Sequence, residues 1–149
     1  MIKLDNVSKY YYSSNAVVPA LKKIELEFNI GEFVAITGES GSGKTTLLNI
    51  ISGLDSYDDG EMYYNGEPTS HFDALDWEEY RKNKIGFVFA NNNLIENYRA
   101  LQNVESSLLI QGIDVHQAKR TALDLLEKVG MSSFAGQKVA QLSSGQRQD

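Results

Sequence analysis

The sequence predicts an α/β fold in which a glycine loop joins a strand to a helix, with an antiparallel β part and a helical part around that core. Three observations carry the prediction. The stretch Gly38-Glu39-Ser40-Gly41-Ser42-Gly43-Lys44-Thr45 fits G-x-x-x-x-G-K-[ST]. It lies between a β-rich run, 32–37, and a helical run, 46–51, the order that turns a motif match into a structural claim. Apolar residues alternate with period two ahead of it and recur at helical spacing in the last third. The expected partition is an antiparallel β part at 1–30 and 60–70, a phosphate-loop core at 31–57 and 85–90, and a helical part at 91–146.

The loop's residue types suit a phosphate chain. Such a ligand needs several donors at short range, and backbone N–H groups can crowd it only where no Cβ intervenes, which Gly38, Gly41 and Gly43 provide. A helix beginning near Lys44 adds unpaired N–H groups and a partial positive charge at its first turn. Lys44 would place a full charge at the β- and γ-phosphates. The Thr45 hydroxyl would sit on Mg²⁺, a hard cation that takes oxygen ligands. The plain alternative is a glycine-rich strand-to-helix turn with no ligand.

Composition narrows the class. With 149 residues, 42% hydrophobic and 23% charged, the chain has the length and content of one globular domain. Its net charge of −6, with 14 Lys and Arg against 20 Asp and Glu, argues against a general nucleic-acid or membrane-surface binder. Without cysteine there is neither a disulfide framework nor a thiolate metal site. No stretch approaches 18 apolar residues and no signal core opens the chain, so a cytosolic protein that reaches a membrane only through a partner is expected.

In order, 1–7 reads as a half-buried strand, followed by Tyr10-Tyr11-Tyr12 and a flexible Ser13-Ser14-Asn15. Either the tyrosines are ordinary half-buried strand residues or one ring stacks on a purine. From 20 to 30, Leu21, Ile24, Leu26, Phe28 and Ile30 alternate with charged neighbours, an amphipathic antiparallel strand, and Gly31-Glu32 is a turn. Beyond the loop, Leu47, Leu48, Ile50, Ile51 and Leu54 line one helical face, ending near Gly53. Residues 61–64 form a short strand before the hairpin signal Asn65-Gly66. A charged helix spans 73–84, capped by Asp73 or Asp76. Ile85-Gly86-Phe87-Val88-Phe89 suits a buried parallel strand, and 90–93 a loop. A helix from Ala100 ends near Gly112. Another runs from Asp114, with Gln117 completing a capping box, Ala118, Ala122, Leu125, Leu126 and Val129 as the buried stripe, and Gly130 as the stop.

Two anchors, Gly38 to Thr45 and Leu142-Ser143-Ser144-Gly145-Gln146, together resemble the ATP-binding-cassette (ABC) family of transporter ATPases. The second is one residue from the family signature L-S-G-G-Q and lies about a hundred residues after the loop. The segments V-S-K-Y-Y at 7–11, I-G-F-V-F at 85–89 and A-L-Q-N-V at 100–104 look like the exporter branch, closest to ATPases serving lipoprotein release, macrolide efflux and antimicrobial-peptide resistance. The resemblance covers the whole chain, which corresponds to about the first two-thirds of the family's domain, truncated after the signature.

The resemblance implies an ATP-hydrolysing subunit with ATP and Mg²⁺ as cofactors. Tyr11 falls where the family stacks an aromatic on adenine. Gly38, Ser40, Gly41, Ser42, Gly43, Lys44 and Thr45 carry the phosphates, Lys44 is the catalytic cation and Thr45 the metal ligand. Thr46 adds a hydroxyl near the α-phosphate. Ser143 and the Gly145 backbone would contact the γ-phosphate of ATP held by the opposite subunit of a head-to-tail homo- or heterodimer. Residues 91–98 match the region that touches a transporter's membrane subunit, which would hold the protein at the inner face of the membrane.

Departures bear on activity. Ala90 stands where the family has a glutamine touching Mg²⁺ and the attacking water, Ser144 replaces a glycine, and Val139 replaces a frequent proline. The family's strand ending in an acidic pair, its dimer-contact loop and its switch histidine follow the signature, and neither His71 nor His116 stands in their place. Near-absent hydrolysis by these 149 residues is therefore expected. The alternative function is a non-hydrolysing nucleotide-binding module or degenerate heterodimer partner. A small-molecule kinase or GTPase needs neither the pentapeptide nor Tyr11. Apolar strands at Val34 and Phe87 are expected to leave an exposed edge that a second copy could fill.

Overall fold

A computed structural model of the chain describes residues 1–148 and divides at Gly86 into two units, 1–86 and 87–149. In the first, strands β1 (Ile2–Ser13) and β2 (Ala16–Phe28) form a long antiparallel hairpin. β3 (Asp59–Tyr64) pairs with the other edge of β1, and the two-residue β4 (Glu67–Pro68) follows across Asn65-Gly66, giving the order β2-β1-β3-β4. Both turn residues have positive φ, as the tight hairpin requires.

Strict alternation would place Leu4 and Val7 on opposite faces of β1, yet both are buried. The register shifts between them, where Asn6 takes φ 51. This bulge resets the alternation so that both side chains enter one core. They meet Leu21, Met62, Leu47 and Ile50 of helix α1 (Lys44–Ile51) and Tyr80 of helix α2 (Ala74–Asn83). On β2 the expected apolar face is only partly used. Ile24 and Phe28 pack on the core, Leu26 is exposed and Ile30 lies beyond the strand. Leu48 and Leu54 are exposed as well, so the buried face of α1 is narrower than its apolar content suggested.

Asp73 is the cap of α2. Its Oδ1 accepts from the N–H groups of Leu75 (2.8 Å) and Asp76 (2.9 Å), and Asp76 Oδ2 accepts in turn from the Asp73 N–H at 3.0 Å. Both candidate residues therefore serve, in a reciprocal box. α2 then closes the end of α1: the Tyr80 hydroxyl donates to the Ile51 carbonyl at 2.8 Å and Arg81 Nη1 to the Gly53 carbonyl at 2.7 Å. Those are carbonyls that α1 cannot satisfy internally.

The two core strands expected at 32–37 and 85–89 are not formed: neither segment pairs with any strand among the described residues. Within the first unit Ile36 and Ile85 pack on the core, but Phe33 is 98% exposed. In the second unit Val88 is 82% exposed, and Phe87 stacks on Phe89 with centroids 5.3 Å apart. A strand exists only through its neighbour's hydrogen bonds, and apolar content cannot supply that neighbour.

In the second unit, helices α3 (Ala100–Ile110) and α4 (Val115–Lys128) pack with two single-turn helices, Ser132–Phe134 and Val139–Gln141, around Ala100, Leu126, Met131, Val139 and Leu142. Asp114 caps α4, its Oδ1 accepting from the N–H groups of His116 (2.9 Å) and Gln117 (3.3 Å). The reciprocal bond from Gln117 is not formed, so the expected box is a single-sided cap. Ala118, Ala122 and Leu126 are the buried stripe, whereas Leu125 and Val129 are exposed. No helix among the described residues is long and apolar enough to cross a membrane.

Candidate functional site

The glycine loop opens onto a cleft of about 620 Å³ in the first unit. Ser40, Gly41, Gly43, Lys44, Thr45 and Thr46 line one side, and Tyr11, Val18, Pro19 and Ala20 of the β1–β2 hairpin the other. Residues from two distant stretches thus converge, because the hairpin's far end reaches the start of α1.

Gly43 shows why the loop has its composition. It sits at φ 90 as the N-cap residue immediately before α1, and a Cβ there would come within 2.6 Å of the Ala20 carbonyl oxygen. No larger residue fits against β2 in that conformation. The first intrahelical bond runs from the Leu47 N–H to the Gly43 carbonyl at 2.8 Å. The N–H groups of Lys44, Thr45 and Thr46 precede it, and no side chain caps them. They form a cluster of donors at the positive end of the helix, facing the cleft.

Lys44 lies within this curl. Its Nζ donates to the carbonyls of Gly38 (2.9 Å) and Glu39 (2.6 Å), with Ser42 Oγ at 3.4 Å. Gly38, Glu39 and Ser42 therefore shape the loop from behind, while Ser40, Gly41, Gly43, Lys44 and Thr45 line the cleft. The site as a whole offers backbone donors and an ammonium, and no residue lining it carries a carboxylate. That composition suits an anion. No group of three or more His, Cys, Asp or Glu residues among the described residues could hold a metal. A hard cation here would rest on the exposed Thr45 hydroxyl and on oxygens of the ligand itself, a donor set that fits Mg²⁺.

Tyr11, 42% exposed as a residue, borders the cleft, and its hydroxyl donates to Asp55 Oδ2 at 2.9 Å. Burial pushes the Asp55 carboxyl up, but hydrogen bonds from Lys9 and Tyr11 and the Lys9 charge outweigh it and hold the group below the ordinary carboxylate value. Sequence reasoning missed Asp55 and Lys9. Lys9 stands two residues before Tyr11 on the same strand, the single available signal. Nothing in the sequence links it to a carboxylate 46 residues away.

Ser143 and Gly145 belong to the second unit. Ser143 Oγ accepts from the Gln146 N–H at 3.2 Å, and Gln146 Oε1 accepts from the Ser143 N–H at 2.9 Å, so the pentapeptide opens the short helix α5 (Ser144–Gln148) through a capping box. Both residues are exposed, and the helix N-terminus is free of an acidic first turn. Ala90 and Asn91 lie in an exposed turn, where Asn92 and Asn93 take positive φ.

Comparison with known proteins gives a consistent result. A family model described as ABC transporter matches residues 21–149. The chain is 41% identical over 152 residues to an uncharacterized ABC transporter ATP-binding protein, MJ0796, of Methanocaldococcus jannaschii, covering 99% of this chain and 65% of that one. It is 40% identical over 148 residues to the lipoprotein-releasing system ATP-binding protein LolD of Saccharophagus degradans, with the same coverage. Among solved structures, MJ0796 as a dimeric post-hydrolysis cassette bound to ADP and Pi superposes with a TM-score of 0.87 at 40% identity, over 99% of this chain and 65% of that one. The chain thus spans about 65% of the length of the relatives it matches, and its mixed α/β fold is that of a cassette ATPase over that length.

Proposed function

Because the chain belongs to the ABC transporter family, we propose that it is an ATP-binding subunit whose cleft holds Mg-ATP, in a system that exports through a membrane partner. One observation carries this reading: the Tyr11 ring and the donors of Lys44, Thr45 and Thr46 line the same cleft. The phosphates lie on the N–H groups of the loop and of the first turn of α1, with Gly38, Ser40, Gly41, Ser42 and Gly43 shaping the cradle. Lys44 leaves its bonds to the Gly38 and Glu39 carbonyls for the β- and γ-phosphates, exchanging neutral acceptors for charged ones. Thr45 carries Mg²⁺, Thr46 lies by the α-phosphate, and Tyr11 stacks on the base. Mg²⁺, when bound, neutralises charge between phosphate oxygens.

The dimeric state of the MJ0796 cassette supports a head-to-tail pair in which the exposed N-terminus of α5, with Ser143 and Gly145, meets the γ-phosphate held by the other subunit. The LolD relative, named as the ATP-binding protein of a lipoprotein-releasing system, supports a role as one component of such a system; in our reading it works at the inner face of a membrane, through a membrane subunit that 91–98 would contact. The proposed parts are the antiparallel β part, phosphate-loop core and helical part given above.

Hydrolysis requires a group that orients the attacking water, and no carboxylate or amide side chain lines the cleft. The 149-residue chain should therefore bind Mg-ATP and release phosphate at a negligible rate, as a non-hydrolysing module would. Calorimetric titration with Mg-ATP, alongside a phosphate-release assay, tests both parts. Binding that falls more than about tenfold in Lys44→Ala is expected, as is weaker binding in Tyr11→Ala. Nucleotide affinity indifferent to Lys44 would sink the reading, and steady Lys44-dependent phosphate release would sink its non-catalytic half.

A further inference from the structure

Tyr11 is held from outside its own strand. Its hydroxyl bonds to Asp55 Oδ2, while Asp55 Oδ1 accepts from Lys9 Nζ at 2.9 Å, the one ion pair found among the described residues. Lys9 is only 6% exposed, has Ser56 Oγ as a further acceptor at 3.3 Å, and lies over the Tyr11 ring, 5.5 Å from its centroid. Asp55 is in turn fixed to α1. The N–H groups of Leu54 and Asp55 both donate to the Asn49 carbonyl, at 2.8 and 3.1 Å. The helix that begins at the glycine loop therefore ends in the segment that grips the tyrosine.

The geometry points to Lys9 and Asp55 as positioning residues for the base of the bound nucleotide, an inference that rests on the nucleotide reading above. A buried ammonium is tolerable only when paired, so the Lys9–Asp55 contact is obligatory in the folded chain. Tyr11, bonded to the same carboxylate and attracted through its ring face to the same ammonium, inherits that rigidity. One ring face is capped by Lys9, and the other is left for a purine. A platform already fixed at a set distance from the phosphate cradle spares the ordering cost that a mobile ring would bring to binding. Neither residue needs to touch the nucleotide.

The test separates base from phosphates by titrating the full chain with Mg-ATP and with inorganic tripolyphosphate, which has no base. Tyr11→Phe removes one exposed hydroxyl and leaves the ring. Asp55→Asn removes the charge that pairs Lys9. Each is expected to weaken ATP binding about three- to tenfold while leaving tripolyphosphate within about twofold. In a Tyr11→Ala background, Asp55→Asn should then have no further effect on ATP, because the ring it positions is gone. Lys9→Arg, which keeps the charge, should restore most of what Lys9→Met loses. The inference is overturned if Asp55→Asn and Tyr11→Phe leave ATP affinity unchanged. It is equally overturned if they weaken both ligands alike, or if the Asp55 effect persists undiminished without Tyr11. Loss of Lys44-dependent ATP binding in the unaltered chain would overturn the nucleotide reading itself and this inference with it. Intact Lys44-dependent binding with indifferent Asp55 would remove the inference alone.

Discussion

Gly43 is pressed against the backbone of Ala20, with 2.6 Å between a Cβ built on the glycine and the Ala20 carbonyl oxygen. The phosphate-type loop is thereby locked to strand β2, and the start of α1 cannot move independently of the hairpin. Gly43→Ala must either push β2 away or leave its positive φ, and we expect a loss of about 1–3 kcal/mol in unfolding free energy. Urea denaturation measures it. A neutral result would mean that the hairpin yields freely. Gly41→Ala, which meets nothing within 4 Å, should cost less through its positive φ alone.

Tyr80 is 3% exposed, and its hydroxyl bonds to the Ile51 carbonyl. Tyr80→Phe should destabilise the first unit by about 1–2 kcal/mol, because it leaves that carbonyl without its donor while keeping the ring contacts with Trp77 and Tyr64. Burial, with the nearby Tyr64, pushes the phenol up to about 12 from its ordinary 10.0. The folded state therefore favours the protonated form. Its contribution is complete below pH 10 and is lost as pH rises towards 12. Alkaline melting curves of the wild type should fall more steeply over that interval than those of Tyr80→Phe.

At acid pH the sign reverses. Asp55 and Glu61 both lie below their ordinary values of 3.8 and 4.5. For Glu61, burial opposes the shift, but bonds from Ser70, Tyr57 and Thr69 outweigh it. Such groups add stability that is present above the unfolded-state value and is lost as pH falls through the folded one. The melting temperature should hold steady from pH 7 to about 5.5 and decline below it. Glu61→Gln should shallow that decline. An identical acid profile in the variant would exclude the carboxylate as a contributor.

The cap of α4 is one-sided. Asp114→Ala should cost about 1 kcal/mol, whereas Gln117→Ala should be close to neutral, since its side chain makes no return bond. Equal losses in both variants, measured by thermal melting, would show that the reciprocal box forms in solution.

What the sequence made legible depended on the range of the interactions involved. The glycine loop, the Asn65-Gly66 hairpin and the caps at Asp73 and Asp114 were legible because each depends on neighbours within a few residues. The placement of Tyr11 on the cleft that Lys44 also lines was legible only through the family resemblance, as composition alone left the tyrosine triplet ambiguous. The expected strands at 32–37 and 85–89 failed for the opposite reason. Their apolar runs state a capacity for pairing, and pairing is a property of two segments.

By itself the sequence determined a phosphate-type loop, its flanking helix and the Asn65-Gly66 hairpin, since backbone propensity and side-chain period act locally. Tertiary structure alone decided that the bulge at Asn6 turns both Leu4 and Val7 inward. It alone decided that Gly43 meets Ala20, and that Lys9 and Asp55, 46 residues apart, share the tyrosine that borders the cleft. Those contacts arise from packing distant segments around one core, and no periodicity along the chain encodes them.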